Sequence, residues 1–176
     1  EVTSLSDGSL RVVHERGALG SDGKVTDGTR AIETHSPRGV VIESRAEDIA
    51  SGLSLGVTKA ESFDEWGRVL ALRLADGTVE RRFFCESCGG LDAVEVNGVT
   101  RRFTYDALGR KAEERIAAGS TLVQHRRFYY DAADRLIRVT RVEPSSITET
   151  NLVTTRFDLA GRLVEHAELG QSAQRF

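Results

Sequence analysis

The sequence predicts an all-β fold: an antiparallel meander of repeated β-hairpins forming a curved or spiralling open sheet. Three observations predict it. One motif, aromatic-Asp-x-x-Gly-Arg, recurs as "FDEWGR" from Phe63, "YDALGR" from Tyr105, "YDAADR" from Tyr130 and "FDLAGR" from Phe157. Asp-Gly or Asn-Gly dipeptides, strong short-range hairpin signals, occur at Asp7, Asp22, Asp27, Asp76 and Asn97. Seventeen Gly against two Pro in 176 residues suit many tight turns.

The repeat sets the unit. A fifth, degenerate copy fits at Cys85, where "RRFFCESCGG" aligns with "RRFTYDALGR" without a gap, so that Cys85 replaces the aromatic and Glu86 the Asp. Successive copies are then 22, 20, 25 and 27 residues apart, and a truncated copy begins 19 residues later at Phe176. A period that varies by a few residues marks a supersecondary unit with loops of different length.

Taken in order, the first 60 residues carry hairpin signals ("SDGSLRVVHE", "VTDGTRAIETH", "SPRGVVIES") without the full motif. Residues 1–60 therefore read as divergent β-hairpin units of the same sheet, with a separate small β domain as the alternative. Within "SRAEDIASG", 44–52, a short helix is compatible with the composition. Residues 61–176 hold the clear repeats. "RVLALRLADGTVERRFF" and "GLDAVEVNGVTRRFTY" each read as strand, two-residue turn, strand, ending at the next motif. "RKAEERIAAG", 110–119, is rich in helix formers but occupies the place of a strand in the preceding copy, and the repeat predicts a strand. "EPSSITETN", 143–151, reads as one longer loop.

Alternation along a strand then assigns a role to each motif position. Phe103 and Tyr105 share a face, as do Phe128 and Tyr130, which predicts a ladder of buried rings. Asp64, Asp106, Asp131 and Asp158 accept backbone N–H groups of the turn they open. Gly67, Gly109 and Gly161 supply positive φ, and Asp134 stands in that place as one of the few residues that tolerate it. Arg68, Arg110, Arg135 and Arg162 fork onto a carboxylate or turn carbonyl, including that of the adjacent repeat.

These residues resemble the Rhs/YD-repeat family: bacterial Rhs and toxin-complex proteins, wall-associated proteins and animal teneurins. The resemblance covers residues 60–176 and is loose before them. It implies strips of antiparallel sheet that spiral into a hollow shell, which can enclose a C-terminal toxin domain, and it implies a link to carbohydrate. Neither the Asp-Pro-x-Gly stretch that marks self-cleavage in the family nor a toxin domain is found in the sequence. On this resemblance the chain is shell wall.

Other chemistry has weaker signals. Cys85 and Cys88 are the only cysteines. A disulfide across the turn, free thiols, a zinc site and a redox pair compete as readings. Zinc needs two further ligands, and the four His are scattered. No nucleophile elbow, zincin helix or phosphate loop is present. Net charge −3 provides no footprint for nucleic acid, and the absence of a long apolar run argues against membrane insertion. A sequence without Met reads as a segment of a longer chain.

The expected function is therefore a non-catalytic structural segment, without cofactor or metal, of a secreted or cell-surface bacterial protein. Its expected partners are the adjoining repeats, an enclosed C-terminal toxin domain, and other copies reached through exposed sheet edges. A glycan-binding module of the same fold, using Phe128, Tyr129 and Tyr130, is the first alternative. A redox or metal role for Cys85 and Cys88 is the second.

Overall fold

Tight corners organise the molecule. The computed structural model describes residues 1–87, 89–144 and 148–176, and among them every regular element is a strand. In chain order these are β1 (Val2–Ser4), β2 (Leu10–Leu19), β3 (Val25–His35), β4 (Val41–Asp48), β5 (Ser54–Phe63), β6 (Val69–Arg73) and β7 (Val79–Phe84). Then follow β8 (Leu91–Val96), β9 (Val99–Tyr105), β10 (Lys111–Ala118), β11 (Thr121–Tyr130), β12 (Leu136–Val142), β13 (Glu149–Phe157), β14 (Leu163–Glu168) and β15 (Gln174–Arg175). The strands neighbour one another in sequence order, an open antiparallel meander. The chain divides into two compact units, Glu1–Arg82 and Phe83–Phe176.

Eight corners share one hydrogen-bond pattern. The N–H of the first residue donates to the C=O of the fifth, and the N–H of the fourth donates to the C=O of the first. The pairs closed this way are Leu5/Ser9, Gly20/Lys24, Ser36/Val40, Asp64/Arg68, Leu74/Thr78, Asp106/Arg110, Asp131/Arg135 and Asp158/Arg162. This is a type I turn followed by a left-handed residue that forms a bulge. Seven of the eight put Gly there and the eighth puts Asp134 at φ 61°. Asp and Asn pay less for this region than other side chains do.

The corners correct the two-residue turns expected at Asp-Gly. Asp7, Asp22 and Asp76 sit second in three-residue loops, each carboxylate accepting the N–H two residues on, from Ser9, Lys24 and Thr78. Asn97-Gly98, with φ of 50° and 74°, does make a two-residue turn between β8 and β9. Asp27-Gly28 is no turn at all, because it lies inside β3 with Gly28 opposite Gly17 of β2. A Cβ on Gly17 would stand 1.8 Å from the Asp27 carbonyl oxygen, so only glycine lets these strands approach so closely.

Strand also prevails where helix propensity was high. Lys111–Ala118 pairs on both sides, with β9 and β11. The stretch 44–52 continues β4 to Asp48 and then turns, closed by Ser51 N–H donating to the Asp48 carboxylate, so there is no helix. Two-sided pairing satisfies backbone groups that a short isolated helix would leave open.

The first unit buries Ala60 and Val69, and the second Ala93, Val139 and Val142. All are small. This overturns the ladder of buried rings. Phe63, Phe83 and Tyr105 are exposed and the other motif rings are half-buried. In the second unit, burial also takes in polar groups: Glu114, His125 and Thr140.

Candidate functional site

Each motif corner is a closed set of contacts. One carboxylate oxygen of Asp106 accepts the N–H groups of Leu108 and Arg110, at 2.9 and 3.0 Å, and the other accepts Arg110 Nε at 2.8 Å. Asp64 repeats this with Trp66 and Arg68, and Asp131 with Ala133 and Arg135. At the last corner Asp158 holds the Arg162 N–H and Nε. The Arg110 hydrogen bond holds the Asp106 carboxyl below the usual carboxylate range, and Arg135 does the same for Asp131. For Asp158 the Arg162 N–H is the main cause. Burial pushes Asp64 up, but the Arg68 hydrogen bonds and charge outweigh it.

The arginine also reaches forward. Arg110 Nη1 donates to Asp134 Oδ1 of the next corner at 2.7 Å, while its guanidinium lies 4.7 Å from the centre of the Tyr130 ring. Tyr130 donates back to the Lys111 carbonyl at 3.0 Å. Arg135 lies 4.4 Å from the Phe157 ring centre, and a Cβ on Gly161 would come within 3.1 Å of its Nη1. One arginine thus ties its own corner to the ring and the corner of the following copy. Arg162 keeps only the inner half of this arrangement, and its side chain is 80% exposed against 24% for Arg110.

The fifth copy needs realignment. Cys85 N–H donates to the Gly90 carbonyl and Gly89 N–H to the Cys85 carbonyl, a corner one residue longer than the others. Cys85 therefore takes the place of the motif Asp, and Phe84 that of the ring. The alignment that put Cys85 at the ring is corrected by this extra residue. A Cys85–Cys88 bond concerns Cys88, which lies outside the described residues. The register of β14 with β15, Glu165 opposite Arg175, likewise places Phe176 two residues before the ring position. Phe176 corresponds to Phe103 and Phe128.

The residues named for glycan contact lie on opposite faces of β11. Phe128 and Tyr130 share one face, and Tyr129 stands on the other with His125 and Arg127. Each has a cation over its ring. Lys111 Nζ is 4.2 Å from the Phe128 centre, Arg138 is 4.0 Å from Tyr129, and Arg110 covers Tyr130. Such contacts occupy the ring faces that stacking would use.

The face of Tyr129 carries a network that motif reading missed. Glu149 accepts from Tyr129 Oη at 2.6 Å, Arg127 Nη1 at 2.6 Å and Thr140 Oγ1 at 3.0 Å. Arg127 Nε also donates to Glu113 at 2.9 Å, and Glu113 further meets Arg115 and the buried His125. The Tyr129 hydrogen bond, helped by Arg127 and Thr140, holds the Glu149 carboxyl down at about 2. Burial pushes Glu113 up, but the Arg127 bond and the Arg115 charge bring it below its ordinary value. Both carboxylates are therefore ionised at neutral pH, which leaves neither as a general acid. The signal available in sequence was parity: His125, Arg127 and Tyr129 alternate with the motif residues. Among the described residues, no group of three or more His, Cys, Asp and Glu is placed to hold a metal ion.

No family model matches the chain, and no curated protein matches it. Among solved structures, the crystal structure of TcdB2-TccC3-TEV matches with a TM-score of 0.56 at 16% identity, over 96% of this chain and 11% of that one. The likeness is one of fold. The crystal structure of TcdB2-TccC3-Cdc42 gives a TM-score of 0.43 at 12% identity, over 94% of this chain and 12% of that one. This chain spans about a tenth of the length of the chains it matches.

Proposed function

We propose that the chain is a structural, non-catalytic stretch of repeat wall from a larger secreted Rhs/YD-type protein, acting as shell or scaffold. The forward reach of Arg110 and Arg135 carries this reading. A contact set that spans from each copy to the next, repeated in phase, is suited to extension along a sheet. The fold likeness to a much longer chain supports it. On this reading the partners are adjoining repeats and an enclosed domain of the parent protein.

The test is removal of one whole repeat. Deleting Lys111–Arg135 joins Arg110 to Leu136, which leaves the corner intact and hands Arg110 the ring of Phe157. A wall segment stays folded, with strand circular dichroism and a cooperative melt at reduced stability. A chain that loses its fold, while a deletion of equal length ending mid-strand does no worse, overturns the proposal.

A further inference from the structure

We propose that the first unit binds a small aromatic carboxylate in a notch between the corner 36–40 and the ring of Phe63. The notch is open, of about 290 Å³, and is lined by Ser36, Pro37, Arg38, Ile42, Phe63 and Gly67. Its strand residues share one face of the sheet. Glu43 pairs with Lys59, so Ile42 and Ala60 face the same way, and Ala60 pairs with Leu72. The register shift between Ala60 and Ser62 then brings Phe63 to that face as well.

The notch is the place that a motif arginine fills in the second unit. There Arg110 lies 4.7 Å from the Tyr130 ring centre and Arg135 4.4 Å from that of Phe157, each from the fifth position of the preceding corner. The corner before Phe63 has Val40 in that position. Its first residue is Ser36, whose Oγ accepts the Val40 N–H at 3.2 Å as a motif Asp does in its own corner. The turn is kept and the Asp–Arg pair is not. Among the described residues no cation lies over the Phe63 ring, and Phe63 is 42% exposed.

Arg38 sets the sign of the ligand. It stands third in its corner and reaches forward to Gly67, where a Cβ would meet its Nη1 at 3.3 Å, close to the 3.1 Å between Arg135 Nη1 and a Cβ on Gly161. Arg135 is paired with Asp131, whereas Arg38 has no carboxylate partner among the described residues. It carries the only charge among the lining residues. Asp64, next to Phe63 in sequence, is engaged by Arg68.

These features select an apolar ring with an acid on it. An aromatic ring laid on Phe63 takes the contact that a guanidinium makes in the second unit, with Ile42 and Pro37 as apolar sides. Its carboxylate meets Arg38, whose planar fork matches two oxygens. A cation in the same place meets Arg38 as a like charge and finds Ser36 where the motif has a carboxylate. The corner that lacks the motif pair thus has a cavity and an uncompensated charge on the same ring, and the corners that keep the pair fill both roles internally.

The experiment is a titration of the ¹⁵N-labelled chain with benzoate, followed at the backbone amide and arginine Nε–Hε signals, with benzamide and acetate as comparisons at equal ionic strength. The expected result is a saturable shift of the Ile42 and Gly67 amides and of Arg38 Hε. Benzoate should bind several-fold tighter than either benzamide, which lacks the charge, or acetate, which lacks the ring. Arg38→Gln should weaken benzoate by about fivefold and leave benzamide unchanged. Ser36→Asp combined with Val40→Arg rebuilds the motif corner and fills the notch, so it should abolish the benzoate shifts while raising Tm. The unsubstituted chain decides first: absence of a saturable shift at these residues, or benzoate no tighter than benzamide or acetate, overturns the proposal. So does undiminished benzoate binding in Arg38→Gln or in the rebuilt corner, with amide dispersion intact.

Discussion

Replacing Glu149 with Gln isolates one charge-dependent tie in the second unit. The carboxylate accepts three hydrogen bonds, from Tyr129, Arg127 and Thr140, and its pKa falls from 4.5 to about 2. A depressed carboxylate stabilises the folded state at every pH above its unfolded value, and the stability is lost as pH falls through the folded value. A drop of this size corresponds to about 3 kcal/mol at neutral pH. Linkage then reduces the contribution to about 1 kcal/mol at pH 3. Gln retains the shape and one acceptor but not the charge, so Glu149→Gln should lose most of that quantity at pH 7 and much less at pH 3. Urea unfolding of both proteins, read by strand circular dichroism at pH 7 and pH 3, gives the difference directly. A loss below about 0.5 kcal/mol at pH 7, or one that does not shrink on acidification, would refute the assignment of the network as a charge-dependent tie.

Other perturbations test the corners. Gly161→Ala places a Cβ at φ 81° and against Arg135, and should cost about 1–2 kcal/mol in urea unfolding. Gly161→Asp should cost less than Gly161→Ala, because an Asp in this place of the preceding corner takes the arginine of the copy before it; equal losses would count against the forward tie. Arg110→Ala should lower Tm more than Arg162→Ala, since Arg110 joins two corners and Arg162 only its own. Asp64, Asp106, Asp131 and Asp158 are all held low, so whole-chain stability should rise with pH between about 2 and 5, measured as Tm against pH. The chain should also self-associate through its sheet edges, so its sedimentation coefficient should rise with concentration.

What was legible in the sequence was local and repeated. The corner chemistry could be read because Asp, Gly and Arg fall at fixed offsets within one turn. The Asp-Gly corners were misjudged because glycine supplies positive φ equally to a two-residue turn and to a bulged three-residue loop. Only the cross-strand register distinguishes them. Asp27-Gly28 had a further cue in Gly17, which faces Gly28 across β2 and β3. Cys85 was misaligned because a gapless match of "RRFF" to "RRFT" conceals the residue added inside the corner. The Glu149 network escaped altogether. It joins β10 to β13 across a loop of unpredictable length, and no spacing in sequence encodes which strand residues meet.

The small buried side chains and the paired charges belong to one energetic balance. With only a few small apolar side chains buried, little apolar area is removed from water, so the hydrophobic contribution per repeat is modest. Exposed ion pairs are individually weak, but Arg110 combines two carboxylates, a ring and a carbonyl, and positions groups that Arg135 then engages in the next copy. Stability in such an arrangement is a sum of weak unit terms and stronger nearest-neighbour terms, and it grows with the number of units joined. The ends must then be the weakest part. β1 pairs through three residues and β15 through two, while Arg162 binds its own corner with no ring above it among the described residues. Hydrogen exchange should therefore be fastest at β1 and β15 and slowest across β10 to β12, where each strand is flanked on both sides and tied by Arg110 and Arg127.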